Sequence, residues 1–178
     1  MRYAQIRSMD ISNGEGIGIA LFTNGCRFYC KNCFNSELWD INGGKEWDEE
    51  TENNFLSLAN HDFINRISIL GGEPFIDENI IDLEKLVKKI KEKYKDKTLW
   101  IYSGYLYEEL LKKASNILKY VDVLVDGKYV DELRDYKLKF RGSSNQRIID
   151  VKKSLASGEV CWLDGKWERR MGSGNIYE

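Results

Sequence analysis

The sequence predicts an α/β fold built as a partial (β/α) barrel with mainly parallel strands, and three observations carry that expectation. Short β-branched apolar runs alternate with segments of helical composition, the order that right-handed parallel crossovers produce. No Pro/Gly/Ser-rich linker, repeat or low-complexity stretch divides the 178 residues, so one domain spanning 1–178 is expected. A complete eight-fold barrel takes about 250 residues, so the chain has material for only part of one.

Taken in order, Gly16 to Phe22 reads as the first buried strand and Asp48 to Ala59 as a helix. Arg66 to Leu70 gives the second strand. Ile80, Leu83, Val87, Ile90 and Tyr94 then recur at three- and four-residue steps, one apolar stripe on a helix, with Asp77 placed before it as an N-cap. Thr98 to Tyr102 is the third strand, Tyr105 to Ala114 a third helix, and Val121 to Val125 the fourth strand. The lysine-rich stretch Lys85 to Lys97 reads as a solvated face. Near the end, Glu159 to Arg169 places Trp162, Leu163 and Trp167 around Asp164-Gly165, which predicts a β-hairpin packed on the domain.

Composition narrows the function classes. With 42% hydrophobic and 31% charged residues, five Trp and ten Tyr, the chain has the make-up of a folded globular protein. Lys and Arg number 27 against 29 Asp and Glu, and a net charge of -2 provides no general field for nucleic acid or anionic lipid. The first residues lack a signal peptide's layout, and no apolar run approaches the roughly 18 residues of a membrane span. A cytoplasmic protein with neither nucleic-acid nor membrane partners is expected.

Ligands of parallel β/α folds sit beyond the C-terminal ends of the strands, and every unusual motif here follows a strand. The cysteine cluster follows the first and Gly71-Gly72-Glu73-Pro74 the second, with the chain's single Pro at 74. Ser103-Gly104-Tyr105 follows the third and Asp126-Gly127 the fourth. Turn chemistry accounts for each of the last three alone; their joint placement opposite the cysteines points to a site. There Gly71 and Gly72 would allow close backbone approach, and Glu73 would offer a carboxylate to a ligand amine.

Cys26, Cys30 and Cys33 form a C-x3-C-x2-C loop within 23–35. Iron-sulfur cubanes normally take four thiolates, so three would leave one iron open, much as catalytic metal sites keep a vacant position. Structural zinc completed by Cys161 or His61 is the alternative, although such sites usually draw ligands from closely spaced pairs and neither residue has a ligand neighbour. Cys161 otherwise reads as a small buried hydrophobe, and His61 as a loop or helix-end residue.

The order of C-x3-C-x2-C and then Gly-Gly-Glu-Pro resembles the radical S-adenosylmethionine superfamily. Tyr102-Ser103-Gly104-Tyr105, Val123 to Gly127 and Phe140 to Arg147 are most similar to its anaerobic (class III) ribonucleotide reductase activating proteins, over residues 13 to about 150. The resemblance implies a radical S-adenosylmethionine barrel and a 4Fe-4S cluster on the three cysteines. S-adenosylmethionine would chelate the open iron, with Gly71, Gly72 and Glu73 at its amine and Asn32, Phe34, Asn35, Ser103 and Asp126 as further cofactor contacts. Reductive cleavage would give a 5'-deoxyadenosyl radical that takes hydrogen from a glycine of the reductase catalytic subunit, with reduced flavodoxin or a similar protein as electron donor. No catalytic side chain beyond the cluster and S-adenosylmethionine is implied. Phe140 to Arg147 would shape a partner-binding rim or support the site, with Arg141 or Arg147 pairing a carboxylate. Gly18 stands where these proteins commonly carry arginine.

Overall fold

A computed structural model describes residues 1–163. Its strands are β1 (Arg2–Asp10), β2 (Gly18–Thr23), β3 (Lys45–Glu46), β4 (Arg66–Gly71), β5 (Thr98–Tyr102), β6 (Val123–Asp126) and β7 (Arg147–Asp150). The helices are α1 (Glu49–Leu58), α2 (Asp77–Lys93), α3 (Tyr107–Lys113), α4 (Ser115–Leu118) and α5 (Val151–Ser157), with 3-10 turns at Ser36–Leu38 and Asp131–Leu133. All seven strands share one sheet in the order β3-β1-β2-β4-β5-β6-β7.

The four strands expected from apolar runs make the parallel centre, β2-β4-β5-β6. Ile19, Leu21, Ile67, Ile69, Leu99, Ile101 and Leu124 lie on one face and are buried against helices through Phe55, Leu83, Leu86, Val87, Ile90, Leu110 and Ile117. This is the main core. Fully burying each such aliphatic side chain contributes about 1.5–3 kcal/mol before entropy is set against it. Ala20, Phe22, Leu70, Trp100, Val123, Val125 and Ile148 form the other face, where Leu38 and Phe140 from loops pack instead of helices.

The sheet is mixed rather than mainly parallel throughout, because antiparallel strands close both sides. β1 pairs with β2 and β3, and β7 pairs with β6. None of these three was expected. The burial of β1 along Arg2–Asp10 shows no clean alternation, β3 has two residues, and β7 is a four-residue strand with Arg147 and Asp150 at its ends. Such edge strands are specified by their partners more than by their own apolar pattern.

Two local expectations are corrected. Asp77 is the first residue of α2, and Ile76 occupies the N-cap without a side-chain hydrogen bond. Burial of Phe75 and Ile76 fixes the extended approach to the helix, while Asp77 remains in the first turn, where the helix dipole favours an acid. The lysine face is not wholly solvated: Lys97 is buried and donates to Ile64 O at 2.7 Å, and Lys91 pairs with Asp122 at 2.7 Å. Asp48 caps α1 by accepting from Thr51 N at 2.8 Å.

After α5, residues 160–163 run beside β7, with Leu163 N donating to Ile148 O at 2.8 Å and Trp162 bridged to Ile149. Trp162 is exposed and lies beneath the Arg141 guanidinium, 5.5 Å from the ring centroid. The rest of the expected hairpin, 164–169 with Trp167, lies outside the described residues. No helix among the described residues is long and apolar enough to cross a membrane.

Candidate cluster and cofactor site

The loop after β2 is fixed first by its main chain. Gly72 N donates to Thr23 O at 2.8 Å, Glu73 N to Gly25 O at 2.7 Å, Gly25 N to Leu38 O at 2.8 Å and Cys26 N to Trp39 O at 3.1 Å. The two strand ends thus meet backbone to backbone, and glycine is what permits it. A Cβ on Gly72 would stand 2.4 Å from Gly25 O, and one on Gly71, whose φ is +120°, 2.6 Å from Thr23 N. The backbone that approaches this pair is the chain's own.

Within the loop, Cys33 N donates to Cys30 O at 3.1 Å, and Tyr29 and Asn32 take left-handed φ of 49° and 54°. Cys26 is buried, Cys30 and Cys33 are half-buried, and all three are free thiols. Burial pushes the Cys26 thiol up to about 11 and raises Cys30 as well, the latter opposed by the charge of Lys128. Cluster assembly on these thiols would therefore release protons.

The other predicted residues separate by what they touch. Glu73 is buried at the end of β4, where Oε1 accepts from Phe75 N and Ser103 Oγ, each at 2.9 Å, and Oε2 from Gly104 N at 2.7 Å. It thereby ties the loop after β4 to the loop after β5. Burial pushes its carboxyl up to about 7, opposed by the Phe75, Gly104 and Ser103 hydrogen bonds and by Lys113. Ser103 acts through that carboxylate. Gly104 packs where a Cβ would meet the Phe28 ring at 2.4 Å, and Lys128 Nζ lies 4.8 Å over the same ring.

Asn35 donates to Gly71 O at 3.2 Å and so joins the seam. Asn32 instead donates to Asp131 at 2.7 Å, and Lys31 pairs with Glu132 at 3.0 Å, clipping the loop to the turn after β6. Phe34 is 91% exposed and stands clear of both. Asp126 is fully buried and accepts from Tyr107 N at 2.7 Å and Arg147 Nε at 2.9 Å, which fastens the start of α3 to β7. Arg147, in the 140–147 segment, thus pairs with a carboxylate, and it reaches Glu108 as well. Cys161 is half-buried rather than core, 3.4 Å from Ser157 Oγ beside α5, and His61 lies in the turn after α1.

Sequence reasoning missed Lys128, Phe28 and Trp39. Trp39 Nε1 and, elsewhere on the sheet, Tyr102 OH are buried with no hydrogen-bond partner among the described residues. No one-dimensional signal marks them, because lack of a partner is a property of the folded surroundings.

The donor set fits an iron-sulfur cluster. Three thiols share one short loop, and a second loop carrying a buried carboxylate is bonded to the base of the first. Among the described residues, no three His, Cys, Asp or Glu side chains converge as a single metal ion would require; a cubane takes each thiolate on a different iron.

The family model for a 4Fe-4S single cluster domain matches residues 12–149. Curated relatives include the anaerobic ribonucleoside-triphosphate reductase-activating proteins of Salmonella typhi, 38% identical over 150 residues, and of Escherichia coli K12, 37% identical over 150. Each match covers 83% of this chain and 97% of the relative. The protein of that name from Enterobacteria phage T4 is 34% identical over 148 residues, covering 83% of this chain and 93% of the relative.

Proposed function

The chain belongs to the anaerobic ribonucleoside-triphosphate reductase-activating proteins, and from that membership we propose how its residues serve a glycyl-radical activating enzyme. Cys26, Cys30 and Cys33 would hold a 4Fe-4S cluster, with S-adenosylmethionine as the further ligand that three thiolates leave room for. When both are bound, the pair would supply one-electron reductive cleavage of S-adenosylmethionine to methionine and 5'-deoxyadenosine, the latter completed by a hydrogen atom from a reductase glycine that is left as a glycyl radical.

The chain's residues bind, orient and shield. Gly71 and Gly72 set the distance between the two loops. Glu73 faces the cofactor amine through Oε2, which among the described residues accepts from Gly104 N alone and keeps acceptor capacity. An ammonium there would favour the ionised carboxylate over its buried neutral form. Ser103 holds that carboxylate, Asp126 holds α3, Asn32 and Asn35 pin the cluster loop, and the exposed Phe34 ring is the cofactor contact left for complex formation.

We read the sheet as a partial radical S-adenosylmethionine barrel within one domain of 1–178, with its helix-free face turned to the reductase catalytic subunit. Reduced flavodoxin or a similar protein supplies the electron in the cytoplasm; nucleic acid and membrane have no part. The observation that carries this reading is the main-chain seam joining the three-cysteine loop to Gly71-Gly72-Glu73.

The test is anaerobic reconstitution with iron and sulfide, reduction, and addition of S-adenosylmethionine with the reductase. The expected result is 5'-deoxyadenosine together with a persistent glycyl signal in electron paramagnetic resonance. Fully loaded protein that cleaves no cofactor would overturn the proposal. Cleavage without a glycyl signal would redirect it to another substrate.

A further inference from the structure

The indole N–H of Trp39 is buried and has no acceptor among the described residues. A tryptophan N–H can only donate, and leaving a buried donor unmatched costs about 1–3 kcal/mol. Its surroundings are specific. Trp39 O accepts from Cys26 N at 3.1 Å, and the Trp39 ring meets Tyr29 edge-on at 5.2 Å between centroids and 82° between planes. Tyr29 lies between Cys26 and Cys30 and is held in the left-handed region at φ 49°. One residue thus holds the main chain at the first ligand and packs against the arc leading to the second.

We propose that Trp39 Nε1 donates a hydrogen bond to sulfur of the cluster unit, a thiolate or bridging sulfide, and thereby sets its reduction potential. The acceptors that would complete this donor are sulfurs that gain negative charge when the cluster is reduced. A hydrogen bond to such a sulfur stabilises the reduced form more than the oxidised form and raises the potential. Trp39 is a positioning residue in this scheme: it touches the cluster and takes no part in bond breaking. The proposal rests on the cluster reading above.

The experiment uses the full-length protein reconstituted anaerobically. Iron and sulfide are quantified first, and the reduced cluster is then examined by pulsed paramagnetic resonance with the tryptophan indoles labelled with 15N. The expected result is a 15N coupling in the wild type that disappears in Trp39→Phe. In a redox titration, that variant should shift the reduction equilibrium up to tenfold toward the oxidised cluster, about 59 mV for one electron. Protein loaded with four irons that shows no indole coupling overturns the assignment while leaving the cluster reading intact. Failure to assemble any cluster overturns both. Because labelled wild-type protein suffices for the coupling, poor folding of the variant does not shield the proposal.

Discussion

At the start of β4 the Arg66 guanidinium is fully buried, and its N–H groups are distributed over Asp10 Oδ1 (2.9 Å), Asp10 O (2.8 Å), Asn13 O (2.6 Å), Glu15 O (3.3 Å) and Ser68 Oγ. At the far end of the same strand, Gly71 and Gly72 lead to thiols raised by burial, a carboxyl raised to about 7, and the Trp39 indole N–H, which has no partner among the described residues. One six-residue strand thus carries a polar network closed on itself at its start and one left open beyond its end. A closed network specifies structure, because every buried group is compensated internally. An open one holds donors, acceptors and protons in readiness for something the polypeptide does not supply.

Breaking the open end at its centre should have the largest functional effect. Cys30→Ala is expected to abolish assembly of the 4Fe-4S cluster and with it cofactor cleavage, while circular dichroism and urea midpoint of the cluster-free protein stay near wild type. If the midpoint collapsed instead, the cysteines would be holding the fold and the contrast between the ends would fail.

The closed end should answer in stability. Arg66→Met strands Asp10, which burial penalises but Asn13 and Arg66 hold below the usual carboxylate range, and should cost about 3–5 kcal/mol in urea unfolding. Replacing Asp10 by Asn in the same chain should recover part of that loss, since a neutral side chain no longer needs the guanidinium.

A third measurement exploits protonation. In the cluster-free protein Glu73 is raised from 4.5 to about 7, so between those values the folded chain holds a proton that the unfolded chain has lost. Stability should therefore be greatest below pH 4.5 as far as this group is concerned, fall as pH rises toward 7, and level off above it. The loss is roughly 3 kcal/mol at most. Glu73→Gln should flatten this segment of the pH profile, while leaving an amide donor against one of the Phe75, Ser103 or Gly104 donors.

Gly72→Ala probes the seam itself. Its Cβ, 2.4 Å from Gly25 O, meets backbone that cannot rotate away, and overpacking of this kind costs about 1–3 kcal/mol. Iron content per chain should fall with it, although no ligand is touched. The smallest effect belongs to the exposed clip: Lys31→Ala removes the pair with Glu132 and should change stability by less than about 1 kcal/mol.

What could be read in advance follows the same division. The parallel strands and the Leu83, Val87 and Ile90 stripe were legible because a buried strand or amphipathic helix writes its environment into consecutive residues. β1 and β7 were not, because their pairing with β2 and β6 gives them an identity that Arg2–Asp10 and Arg147–Asp150 do not carry alone. The cysteines and Gly-Gly-Glu-Pro stood out as residue types. That Glu73 spends three hydrogen bonds on its own chain, and that Asp126 belongs to Arg147 and α3, depends on side-chain contacts across 30 and 21 positions of sequence. The same holds for Trp39, whose significance is a missing partner.

The seam between residues 23–25 and 72–73 is made of amide and carbonyl groups, so its instructions are carried by the path of the polypeptide and the absence of side chains. Arg27, Phe28, Tyr29 and Lys31 are therefore relieved of holding the cradle in place at its root. The outward surface of the loop can be rewritten to suit a different partner, and a segment grafted between Gly25 and Asn35 should inherit the docking of its base without redesign.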